Sequence, residues 1–134
     1  MEQVLVVDRN KLLNGRKLPY GFRQTGLKGL IERIYQHGYF INRPAAESDP
    51  NRKQIIPYML VKHRNKYFLL QRQSTQTEKR LHNKHSLGVG GHINPVDGIT
   101  TIKGILEKGL ERELHEELNI TCPYTYTPVG YLND

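Results

Sequence analysis

Apolar positions in this chain fall into short, separate runs. Val4 to Val7 is continuous and rich in β-branched residues, which predicts a strand. Asp8 to Phe22 mixes Gly15, Pro19 and Gly21 with basic residues and reads as loop. Leu27, Leu30, Ile31 and Ile34 then recur at helical spacing, with Thr25 placed to cap the helix and Gly38 to stop it. Asn42 to Asn51 holds Pro44 and Pro50 among small and acidic residues and reads as a linker or long loop.

The second half begins with two β-rich runs, Ile55 to Lys62 and Lys66 to Gln73. His63-Arg64-Asn65 lies between them, so the pattern predicts a hairpin. Gln73 to Lys84 is polar and basic and reads as loop. Ser86 to Ile93 is strand-like but carries Gly88, Gly90 and Gly91, which weaken a strand and let backbone approach a ligand closely. From Ile105 to Leu118 the period turns helical, with Leu106, Leu110, Leu114 and Leu118 forming one stripe. Tyr124 to Tyr131 is a last strand candidate. This order of elements predicts an α+β (mixed α/β) domain.

Composition narrows the picture. At 134 residues, 37% apolar and 25% charged, the chain fits one soluble domain. Its longest apolar stretch, Ile55 to Val61, contains Pro57 and is far short of the roughly 20 residues that span a bilayer. Met-Glu-Gln at the start gives no visible secretory signal, and the single Cys122 excludes an internal disulfide or a cysteine-cluster metal site. A cytoplasmic protein with no membrane segment is expected. Charge is uneven: residues 1–104 hold 18 Lys/Arg against 7 Asp/Glu, and residues 105–134 hold 2 against 6. A basic body with one acidic patch suits a polyanionic ligand met by a cation, although a solvated surface explains the charge as well.

The acidic patch has internal order. Glu113, Glu116 and Glu117 stand at i, i+3 and i+4, which places three carboxylates on one face of the predicted helix. Such crowding disfavours the helix by itself, and a hard divalent cation, Mg²⁺ or Mn²⁺, would relieve it. Arg112 could hold one glutamate in position or offset the charge.

Gly90-Gly91-His92, followed by a helix bearing Arg112-Glu113-Leu114-His115-Glu116-Glu117-Leu118-Asn119-Ile120, resembles the Nudix hydrolase family. The second half of that family's box is Arg-Glu-aliphatic-any-Glu-Glu-any-Gly-aliphatic. Six of its seven defined positions agree here, and Asn119 replaces the glycine. Asn is the best substitute for Gly in a left-handed helix ending. The first half departs: Gly91 and Arg112 are 21 positions apart where the family has 14, so seven extra residues are expected as a surface loop at Gly98 to Gly104. Thr100 or Thr101 could cap the helix that follows. Asp97 or Glu107 is left to replace the first motif glutamate.

The resemblance implies an α/β/α sandwich with a mixed sheet and Mg²⁺-dependent attack of water on the phosphorus of a nucleoside diphosphate linked to another group. Carried over by position, Glu113, Glu116 and Glu117 are metal ligands, one of them the candidate base. The Gly91 carbonyl is a further ligand, and Arg112 belongs to the catalytic set. Arg72, Arg80, Lys84 and His92 are candidates for contacting substrate phosphates, with Lys79 and His85 beside them. His115 occupies the motif's variable position and is expected on the surface. Tyr58, Tyr67, Tyr124, Tyr126 and Tyr131 read as core or rim, and Cys122 as a small buried residue. The resemblance covers residues 46–134, and residues 1–45 read as an N-terminal extension packed on that core, within one domain.

Two other functions fit less well. One is a nucleotide- or RNA-binding module with little catalysis, supported by the basic body and the departures in the box, with Tyr67 and Phe68 beside Lys66 the only hint of an aromatic platform. The other is isoprenoid diphosphate isomerisation, which Cys122, lying after the box, argues against. The family's fold continues beyond the equivalent of Ile120 with more strands and a helix. The 14 residues left here therefore predict either an N-terminal portion of a longer enzyme or a chain whose missing strands another chain supplies, with an open sheet edge at Tyr131 and a tendency to form homodimers.

Overall fold

The computed structural model describes residues 1–71, 85–86 and 88–133. The first strand, β1 (Gln3–Asp8), is followed by the single-turn helix α1 (Arg9–Leu12), β2 (Gly21–Arg23), helix α2 (Leu27–His37), β3 (Tyr39–Asn42), α3 (Arg43–Ser48) and β4 (Arg52–Gln54). Next come β5 (Tyr58–Leu60), β6 (Lys62–His63), β7 (Lys66–Tyr67), β8 (Leu70–Gln71), β9 (His85–Ser86) and β10 (Gly88–Gly90). Helix α4 (Ile102–Glu117) and β11 (Tyr131–Asn133) complete the fold. The class is α+β, as expected, and every strand ladder among the described residues is antiparallel.

β1 is the centre of the molecule. It lies between β3 and β4, and Val4, Leu5, Val6 and Val7 are all fully buried. Its two faces pack on different partners. Val4 and Val6 meet Ala46 of α3. Val7 packs with Leu30 and Ile34 of α2, and Leu5 with Ile93 and with Ile105 of α4. Helices therefore cover both faces of the sheet, which explains a continuous apolar run in place of the alternation of a half-exposed strand.

Helix α2 matches the apolar spacing, but Gly26, in a left-handed conformation, is its N-cap, not Thr25. Gly38 ends it as expected, donating its N–H to the Ile34 carbonyl. The expected loop over Asp8 to Phe22 contains α1 and β2. The expected linker over Asn42 to Asn51 contains α3: Pro44 sits in its first turn, where a missing N–H costs nothing. In the hairpin, β6 pairs with β7 across Arg64-Asn65, and Arg64 adopts a left-handed φ of 56°. The flanking runs are broken into short strands. Pro57 interrupts the first, while Ile55 donates its N–H to the Leu5 carbonyl beside β4.

Helix α4 begins at Ile102, earlier than the pattern predicted, and takes in Gly104. The expected Gly98–Gly104 excursion is thus confined to residues 98–101. The buried side of α4 consists of Ile105, Gly109 and Leu114, while Leu106, Leu110 and Leu118 are half-buried. This drift follows from the 3.6-residue turn, which rotates a strict four-residue stripe away from the core. At Gly109 a Cβ would meet Ile93 Cδ1 at 2.4 Å, so the missing side chain lets α4 lie directly on the segment after β10. Thr101 is the N-cap, its Oγ1 accepting from the Gly104 N–H at 3.1 Å. Thr101→Ala is expected to destabilise the protein by about 1 kcal/mol, read as a lower denaturation midpoint with an unchanged slope.

The stretch 121–130 is irregular and only Tyr131–Asn133 forms a strand. β11 is paired, joining β2 antiparallel in a two-stranded ribbon, with Tyr131 packed on the core formed by α1 and α2. Tyr58, Tyr67, Tyr124 and Tyr126 are exposed, which corrects any placement of them in the core. Cys122 is exposed as well, not buried.

Candidate active site

The site forms where the last turns of α4 pass the end of β10. β10 pairs with β5 through Gly88↔Leu60, Val89↔Met59 and Gly90↔Tyr58, and Val89 is buried beneath it. Ile93 then anchors the segment by accepting the Leu5 N–H at 3.0 Å. The intervening backbone of Gly91 and His92 faces α4. At Gly91 a Cβ would stand 2.3 Å from Glu113 Cδ and 2.4 Å from its Oε1. Only glycine permits this contact between the backbone just past β10 and the carboxylate.

Arg112 ties the constellation together. Its Nη2 donates to the His92 carbonyl at 3.2 Å and to Glu113 Oε1 at 3.4 Å. Its Nε lies 3.8 Å from Glu116 Oε1. Two of the three carboxylates thus converge on one guanidinium. Their exposure differs: the Glu113 side chain is 16% exposed, held against the strand, and that of Glu116 is 59% exposed. Glu117 is exposed on the last turn. The structure therefore brings Glu113, Gly91 and Arg112 into contact and Glu116 to the same guanidinium, while Glu117 forms no ion pair or hydrogen bond with them. Among the described residues no three acidic or histidine side chains are gathered into a ready ligand cage.

α4 ends at Glu117. Leu118 turns extended and donates its N–H to the Leu114 carbonyl. Asn119 is not in a left-handed conformation: among the described non-glycine residues only Asn14 and Arg64 have positive φ. Here Asn119 does not do the work of the motif glycine, because the helix terminates one residue earlier. Asp97, in the turn before α4, and Glu107, on α4, are both exposed.

His92 hydrogen-bonds through Nδ1 to the Gln54 amide at the end of β4. His115 is exposed as expected, and its Nε2 pairs with the Tyr124 hydroxyl at 3.1 Å. Neither Gln54 nor the Tyr124 partnership was visible in the sequence, since neither has a motif and Gln54 lies 38 residues from His92. Arg72, Lys79, Arg80 and Lys84 lie outside the described residues, as does the side-chain environment of His85. No described helix is long and apolar enough to cross a membrane.

Comparison with known proteins supplies relatives for this arrangement. Protein YmaB of Bacillus subtilis (strain 168) is 36% identical over 141 aligned residues, covering 99% of this chain and 67% of YmaB. The solved structure of Tm1382, provisionally described as a Nudix hydrolase, superposes with a TM-score of 0.73 at 32% identity. That superposition covers 92% of this chain, which spans 62% of the length of Tm1382. No protein-family model matches the chain.

Proposed function

We propose that the chain, which shares its fold at 32% identity with a protein provisionally described as a Nudix hydrolase, hydrolyses a phosphoanhydride in a nucleoside diphosphate linked to another group. The observation that carries this reading is the contact of Glu113 with Gly91, bridged by Arg112 to Glu116. It joins the two halves of the box despite the seven additional residues between them.

The donor set fits a hard divalent cation. Glu113, Glu116 and Glu117 carboxylates with the Gly91 carbonyl are all oxygen donors, the type that Mg²⁺ and Mn²⁺ prefer. When bound, Mg²⁺ neutralises phosphate charge and lowers the pKa of a coordinated water. The protein's own contribution is positional. The β10 segment fixes Glu113 from one side and Arg112 fixes it from the other. Glu116 and Glu117, more exposed, stay accessible to ligand. Arg112 balances carboxylate charge in the free protein and presents a guanidinium suited to phosphate oxygens. His92, steered by Gln54, stands on the same backbone segment as Gly91 and is the described candidate for contacting substrate.

The proposal includes a nucleotide-type small-molecule substrate and a single-domain organisation in which residues 1–45 pack on residues 46–134. The test is a Mg²⁺/Mn²⁺-dependent hydrolysis screen over nucleoside diphosphate sugars, dinucleoside polyphosphates, dinucleotide cofactors and capped RNA. Metal-dependent release of phosphate or a nucleoside monophosphate is expected. Saturable binding of the same compounds without turnover would overturn the hydrolase reading in favour of a binding module.

A further inference from the structure

A second cleft lies at the far end of β1 and shares no residue with the box site. It is framed by the last residue of β1, the turn after α1, and the loop that enters β4. The turn is built on Asn14 and Gly15, both left-handed (φ 53° and 80°), which fold Arg16 and Lys17 back over the start of α1. Arg9 N–H donates to the Asn51 carbonyl at 2.8 Å, holding α1 against the β4 entry loop.

The cleft is lined by four basic side chains, Arg9, Arg16, Lys17 and Arg52, against two acidic ones, Asp8 and Asp49, and both acids already have partners. Asp8 accepts a hydrogen bond from the Tyr39 hydroxyl, and this bond raises the Tyr39 pKa above the usual phenol range. Asp49 pairs with Arg52 at 3.4 Å and accepts the Asn51 N–H at 2.9 Å. Arg9, Arg16 and Lys17, by contrast, have no acidic partner among the described residues. Arg16 only touches the Leu13 carbonyl through Nε at 3.4 Å, leaving its terminal N–H groups free to turn to a ligand. Three cations without an acidic partner, from two segments of the chain, therefore line one concavity of net positive charge. We propose that this cleft binds a phosphate-bearing anion, gripped by Arg9, Arg16 and Lys17.

Titration calorimetry of the full chain in EDTA and at low salt tests this, because chelation removes metal-mediated binding at the box. Pyrophosphate, ADP and adenosine are the probes. Pyrophosphate and ADP are expected to bind, with affinity falling as salt rises, and adenosine is expected not to bind. Pyrophosphate matching ADP would identify a site for the bare anion, and ADP tenfold tighter would identify one for a nucleotide. The double variant Arg16→Ala/Lys17→Ala is expected to weaken both by at least about tenfold. Undiminished binding in that variant, no binding of either phosphate compound, or equal binding of adenosine would overturn the proposal. If the variant fails to fold, amide shift changes in the wild-type protein decide. They are expected at Arg9, Asn10, Arg16 and Asn51, and changes confined to residues 88–117 would refute the site.

Discussion

Glu116→Gln and Glu117→Gln are each expected to remove metal-dependent turnover by at least about 100-fold, beyond the 10–100-fold that loss of a metal ligand's supporting partner costs. Each swap keeps the shape of the side chain and removes one anionic oxygen donor, so the effect should fall on catalysis and not on folding. Stability should move in the opposite direction for Glu117. It faces Glu113 at i, i+4, and relief of that repulsion is worth about 0.2–0.5 kcal/mol. For Glu116 the same relief is offset by loss of the exposed Arg112 pair, so its stability should be nearly unchanged. Turnover assays at saturating Mg²⁺ with parallel denaturation curves check both parts. Wild-type turnover in either variant would remove that residue from the ligand set.

Gly91→Ala is expected to cost activity on the order of 100-fold, the scale associated with a misplacement of about 1 Å in a catalytic group. The new methyl would stand 2.3 Å from Glu113 Cδ, so the carboxylate must swing away from the strand. The clash meets the far end of a flexible side chain, and the denaturation midpoint should therefore change little. Turnover and denaturation measured side by side check this account: a loss of activity with a nearly unchanged midpoint is expected, and a large fall in the midpoint would place the defect in the backbone.

The box helix was legible because its information is local. Three carboxylates and the leucines around them sit within four turns, and the period alone orients them. The strand at Val4 to Val7 was legible for the same reason, but its central position was not: that follows from contacts with residues 39–54, 93 and 105. Proline misled the reading of Asn42 to Asn51, since Pro44 is as acceptable in a first helical turn as in a loop. At the site, the joining of Gly91 to Glu113 was implied by the resemblance and by the glycines. The steering of His92 by Gln54 was not, because a pairing between two polar side chains 38 residues apart leaves no periodic trace. The Asn119 expectation failed because the ending of α4 is set by Leu118 turning extended, one position before the asparagine.

The two faces of β1 also have different histories during synthesis. By the time residue 48 has been made, Val4 and Val6 have their apolar partners, since Ala46 lies on α3. Leu5 must wait for Ile93 and Ile105. A nascent chain ending anywhere in between carries a strand covered on one side and, at Leu5, uncovered on the other. Pairings this distant in sequence close slowly, and uncovered apolar surface during the delay invites association. Translation pauses or chaperone contacts across residues 50–105 should therefore affect the yield of folded protein more than the same events earlier in the chain.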